Sequence, residues 1–284
     1  VKREGDTRQP AADGHESLED LEIRLLLEGV YHRYGYDFRD YAMSSLRRRV
    51  RSFADTEGLS TVSALQDRVL HDRLALQRLV EAISVSVTSM FRDPAFYHAL
   101  RGVVVPMLRT YPLIRIWHAG CATGEEVYSV AILLQEEGLY GRCRIYATDM
   151  SEAAVRQAET GAIPLRAMRQ NTTNYLQAGG RAVFARYYTV DGTQAFLDPT
   201  LRAHVVFAQH NLVTDRSFNE FNLVLCRNVL IYFNRQLQER VHRLLYQSLG
   251  RLGFLGLGAR ETVQFTPHEG QYQLLAHRIY RKVA

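Results

Sequence analysis

Gly120-Cys121-Ala122-Thr123-Gly124 runs straight into Glu125 and Glu126. Small residues let a backbone approach a ligand closely, and the glutamates place two carboxylates where the helical pattern EEVYSVAILLQEE begins. A dinucleotide needs the full G-x-G-x-x-G pattern, because its pyrophosphate rests on a helix N-terminus. This loop lacks that pattern, and its carboxylates would repel a pyrophosphate. They suit a cationic ligand, or one with an amino group. Asp149 follows about 25 residues after Gly124, close to the spacing at which an acidic residue meets ribose hydroxyls. S-adenosylmethionine has ribose hydroxyls, a sulfonium and an α-amino group, and no phosphate. A glutamate pair alone can merely complement the dipole of a helix's first turn. The loop together with Asp149 is what points to the cofactor.

These residues need strands to hold them. LIRIWHAG, CRIYATD, HVVFAQHNL and FNLVLCRN are short apolar runs rich in Ile, Val, Phe and Tyr. Helical segments follow the first, second and fourth, which predicts an α/β, Rossmann-like domain with a mostly parallel sheet. In such a sheet ligands bind beyond the carboxyl ends of the strands. YQLLAHRIYRKV reads as one strand closing the sheet. Gly-Gly and Asp-Gly turn signals among β-prone residues mark a small β-rich insertion at about 175–207. Upstream, residues 17–85 carry helical periodicity, starting at a capping Ser17, and predict an all-helical N-terminal domain. Residues 1–16 read as a flexible arm, 86–102 as a linker and 103–284 as the Rossmann-like domain.

Composition excludes little. A formal charge of +5 and a pI near 9.1 suit nucleic acid, an acidic protein or an anionic membrane alike. No apolar run reaches the roughly 18 residues of a membrane span, and no secretory leader opens the chain. Three cysteines without a C-x-x-C argue against a disulfide framework or a metal site and for a cytosolic, cytoplasmic location. Cys121 and Cys226 read as small apolar fillers.

TGEEVYS, ATDMS, QHNL and CRNVLIYF resemble, in order and spacing, the chemoreceptor glutamate O-methyltransferases of the CheR family. SVTSMFRD resembles that family's N-x-T-x-F-F-R segment. The resemblance covers roughly residues 17–284, makes 103–284 the methyltransferase domain and implies that the 86–102 linker contributes to the cofactor site. It implies cofactor contacts from Ser86, Thr88 and Arg92, where the serine stands in place of an asparagine and loses the amide. It also implies Glu126 as the cofactor carboxylate, with Glu125 beside it as the alternative. Asp149 falls on the ribose carboxylate, Asn211 and Leu212 on the segment flanking the adenine, Arg227 and Asn228 on the pair after the fourth strand, and Tyr232 on the tyrosine near the transferred methyl. S-adenosylmethionine is the implied donor and S-adenosylhomocysteine the product.

The implied acceptor is a glutamate of a receptor's cytoplasmic helical bundle. With a reference pKa of about 4.3 it is already ionised, so the task is to align it rather than to deprotonate it. Arg92 and Tyr232 are the expected orienting residues. From the residues alone, Arg92 could equally pair with Asp93, and Tyr232 could be a core aromatic beside Phe233. Arg47, Arg48, Arg49 and Arg51 could be a solvated basic surface, and the resemblance implies a docking stripe for the acidic bundle. The insertion does not closely follow the family's peptide-binding pattern, so a receptor tether is left open. No metal, nucleic acid or membrane insertion is expected, and a monomer is. Two alternatives stand beside this reading. A nucleic-acid methyltransferase of the same fold would use the arginines on phosphates, although N/D-P-P-Y/F is absent. A non-catalytic cofactor-binding module is the other.

Overall fold

The computed structural model describes residues 17–84 and 88–283, so the flexible-arm expectation for 1–16 and the cofactor contact expected of Ser86 lie outside the described residues. The chain divides into two compact units. One runs up to Arg39 and resumes over Met43–Leu79; the other takes Asp40–Ala42 and Val80 onward.

The first unit is helical. It is built from α1 (Leu18–Tyr34), α2 (Met43–Thr56), α3 (Val62–His71) and the greater part of α4 (Arg73–Ile83). Ser17 Oγ accepts the Asp20 amide at 3.2 Å, and Gly35, at φ 80°, ends α1 with a left-handed cap. Ile23, Leu26, Leu27 and Val30 form the buried stripe of α1, at helical spacing. α1 packs on α3 and α2.

The second unit opens with α5 (Pro94–Ala99), a π-helical turn over Leu100–Val104 and α6 (Val105–Leu108). There follow β1 (Ile114–Ala119), α7 (Glu125–Glu136), β2 (Cys143–Asp149), α8 (Glu152–Thr160), β3 (Ala162–Pro164), α9 (Met168–Gln177), β4 (Tyr188–Asp191) and β5 (Gln194–Leu197). The chain continues through β6 (Val205–Gln209), β7 (Phe221–Cys226), α10 (Arg235–Ser248), β8 (Leu249–Leu257), β9 (Tyr272–Ala276) and β10 (Ile279–Lys282). Seven strands form one sheet in the order β6-β2-β1-β7-β8-β10-β9. The first five are parallel, and β10 runs antiparallel between β8 and β9. β1 and β7 are buried almost throughout, as expected of strands covered on both faces. From β1 the chain winds outward to β6, then crosses back to β7 on the other side. The strand order therefore reverses between β1 and β7, and a cleft opens there at the carboxyl ends.

Two expectations shift. The small sheet, in the order β3-β5-β4, begins at Ala162, upstream of the expected 175–207, while Val205–Phe207 belong to β6 of the main sheet. Three residues of β3 are too few to show a period. The expected closing strand is a hairpin, broken at His277 and Arg278, whose φ values are 40° and 63°. Neither residue is the Asn or Gly that usually announces such a turn. No helix among the described residues is long and apolar enough to cross a membrane.

Candidate active site

The cavity at the reversal point is walled by the ends of β1, β2, β6 and β7 and by the segment before α5. The loop after β1 turns through Gly120 (φ 87°) and Ala122 (φ 48°). A Cβ on Gly120 would lie 2.6 Å from Val229 Cγ2, so only glycine lets this loop meet the loop after β7. Asp149, closing β2, accepts the Ala122 amide at 2.9 Å and the Ser151 amide at 3.0 Å. Burial pushes its carboxyl up, against the pull of these amides. It therefore both shapes the first loop and faces the cavity.

Glu126, in the first turn of α7, is the better-balanced carboxylate. Its Oε2 accepts from Arg227 Nη1 at 2.7 Å, and its Oε1 lies 3.1 Å from His118 Nδ1. An ionised carboxylate only accepts, so Nδ1 carries the proton. Burial alone would raise the Glu126 carboxyl, but the Arg227 charge, with His118, holds it below the ordinary value. Arg227 in turn donates to Asp93 Oδ2 at 2.9 Å and to the Arg92 carbonyl at 3.0 Å. Its guanidinium lies 4.1 Å from the centroid of the Phe96 ring. Burial would lower its pKa, and Glu126 leads the groups that raise it instead. The site thus holds a half-buried carboxylate that stays charged.

Of the residues expected from sequence, Thr88, Arg92, Glu126, Asp149, Asn211, Leu212, Arg227, Asn228 and Tyr232 all line this one cavity. Glu125 does not; its carboxylate accepts from Thr123 Oγ1 at 2.7 Å instead. Asp93 gives its carboxylate to Arg227, and Tyr232 is half-buried on the cavity wall while Phe233 packs edge-on against Tyr41. Asn211 Oδ1 accepts the Val213 amide at 2.9 Å, which shapes the turn after β6 that lines the cavity. The three cysteines are buried, and burial pushes each thiol up, Cys143 to about 12. None is poised as a nucleophile. His118, Asp93 and Phe96 were not expected from the sequence.

In the first unit, Arg47 pairs with Asp20 at 2.5 Å and Arg51 with Glu19 at 3.0 Å. Both therefore tie α2 to α1. Arg47, Arg48 and Arg51 are exposed, and Arg49 is half-buried.

Comparison with known families decides what this cavity belongs to. Residues 86–280 match the model described as CheR methyltransferase, SAM binding domain, and residues 21–84 match CheR methyltransferase, all-alpha domain. The chain belongs to the CheR methyltransferase family. Within that family, Cher3 of Pseudomonas putida is 48% identical over 93% of this chain and 97% of its own length. A chemotaxis protein methyltransferase of Listeria monocytogenes is 28% identical, covering 81% of this chain and 85% of its own. Chemotaxis protein methyltransferase 1 of Pseudomonas aeruginosa is 29% identical, covering 86% and 90%. As a CheR methyltransferase, the protein uses S-adenosylmethionine. The residues present fit that group. The cavity offers ionised Glu126 and half-buried Asp149 beside a close-approach glycine, a set suited to a phosphate-free cation with ribose hydroxyls.

Proposed function

We propose that this CheR methyltransferase esterifies glutamate side chains of a chemoreceptor's cytoplasmic helical bundle, as a cytosolic monomer serving chemosensory adaptation. S-adenosylmethionine supplies the electrophilic methyl group. Glu126, Asp149, Asn211, Leu212, Arg227 and Asn228 hold the cofactor, together with Thr88 and, from the linker, Ser86. Arg92 and Tyr232 orient the acceptor.

One observation carries the reading: the cofactor cavity also takes in Arg92 and Tyr232. A guanidinium and a phenol are hydrogen-bond donors, which is what an ionised carboxylate needs for alignment. A glutamate with a reference pKa of about 4.3 requires no base, so positioning supplies the rate. The relatives named as chemotaxis protein methyltransferases support methyl transfer in chemotaxis. The exposed arginines of α2 are read as the docking stripe for the acidic bundle.

The test is labelled methyl transfer to receptor-bearing membranes. Label that mild base releases as methanol identifies a carboxyl ester. Label that survives base, or transfer to nucleic acid instead, would sink the reading.

A further inference from the structure

We propose that Glu261 is a positioning residue of methyl transfer, its carboxylate setting the backbone of the loop that carries Asn228 and Tyr232. Glu261 stands just past the end of β8 and is 4% exposed. Its Oε2 accepts the amides of Asn228 at 2.9 Å and Gly258 at 2.6 Å. Its Oε1 accepts the amides of Val229 and Leu230, both at 2.8 Å. A carboxylate has about four lone-pair sites, and here four backbone donors fill them.

Three of those donors are consecutive and belong to the segment that opens the turn Leu230–Tyr232. Asn228 is held at φ 61°, in the left-handed region. The strand end leaves no slack on its side. A Cβ on Gly258 would sit 2.7 Å from Glu261 Oε2 and 2.8 Å from the Asn228 amide nitrogen. On the far side, Val229 presses on Gly120. The loop is thus clasped between the ends of β1 and β8. Asn228, Val229 and Tyr232 line the cavity, and Glu261 does not. Glu261 acts through them, and the inference rests on the cofactor and acceptor roles proposed above for Asn228 and Tyr232.

A carboxylate needed only for folding makes the natural comparison. Glu136 is also buried; its Oε1 accepts the Arg181 amide at 3.0 Å and the Tyr187 hydroxyl at 3.1 Å, and its Oε2 pairs with Arg101 at 2.7 Å. It stands outside the cavity. Glu261→Gln and Glu136→Gln are made in the full chain and compared at a temperature where both are folded. The readouts are melting temperature, calorimetric affinity for S-adenosylhomocysteine and turnover. Glu261→Gln is expected to weaken S-adenosylhomocysteine by about tenfold or more and to slow turnover, while Glu136→Gln keeps the wild-type affinity. Equal affinity losses in the two variants, or wild-type affinity in Glu261→Gln, would overturn the proposal. Should Glu261→Gln not fold, Gly258→Ala crowds the same amides without removing the carboxylate and is expected to show the same selective loss. Wild-type affinity in Gly258→Ala, or failure of that variant to fold as well, would make Glu261 a folding residue and overturn the role. A wrong acceptor would look different: the wild type would bind S-adenosylhomocysteine yet leave receptors unmethylated.

Discussion

Removing the guanidinium of Arg227 leaves the half-buried Glu126 beside His118 without its closest cation. A buried carboxylate stripped of its cation costs about 3–5 kcal/mol. Glu126 is only half-buried, so Arg227→Met is expected to lower the unfolding free energy by at most about that amount, and Arg227→Met with Glu126→Gln to regain most of the loss. Denaturant titration of the two single variants and the double variant reads the coupling. Tyr232→Phe tests a different kind of loss. It removes one hydroxyl from the cavity wall, so turnover should fall about 10–100-fold, as for a donor engaged by a charged group. Calorimetry should find S-adenosylhomocysteine bound as in the wild type. The lining residues were legible because each sits just past an apolar run, or in a motif that could be matched position by position. His118, Asp93 and Glu261 were not. Glu126 and Arg227 are 101 residues apart, and Glu261 lies 33 beyond Asn228, so no local spacing could pair them. Glu261 followed a strand end as Asp149 did, yet its carboxylate turns to backbone amides rather than to the cavity, a choice made by tertiary packing.

At the scale of elements, the parallel core was readable because its strands are continuous apolar runs bounded by polar turns. β3 and the β9–β10 hairpin were harder to read. The first is three residues long, and the second turns on His277 and Arg278 without a turn-forming pair. α10 shows how a helix next to the site is fixed. Asn234 caps it, accepting the Leu237 amide at 2.9 Å, while its own amide group donates to Asp40 at 3.1 Å. Losing such a cap costs about 0.5–2 kcal/mol. Asn234→Ala should lower the melting temperature by a few degrees, about 2–4 °C per kcal/mol in a unit of this size. A scanning calorimeter decides between that and no change.

For the molecule as a whole, charge and pH set the terms. If the basic face of α2 docks an acidic bundle, Arg48→Glu should raise the KM for the receptor several-fold at low salt and leave kcat alone, with the difference shrinking as salt screens it. Arg48 is the cleaner probe, since Arg47 and Arg51 also hold α1. Stability should depend on pH through His242. Burial, with the charge of His268, lowers its pKa from 6.5 to about 4. A depressed histidine favours the folded state while neutral, so its contribution is complete above pH 6.5 and lost as pH falls toward 4. The loss reaches about 3 kcal/mol. The unfolding curve of His242→Gln should be flatter than that of the wild type over that window, and parallel curves would refute the assignment. The order of the sheet has a last consequence, for how the protein is born. The cavity gathers residues from before α5, from the ends of β1, β2 and β6, and from the loop after β7. Glu261, which clasps that loop, is made later still. A chain leaving the ribosome therefore carries most of the lining early and the complete site only once the loop after β7 and its clasp have been made. The cofactor binds in full only to the finished sheet, so its cellular concentration should govern chiefly how long the completed enzyme lasts.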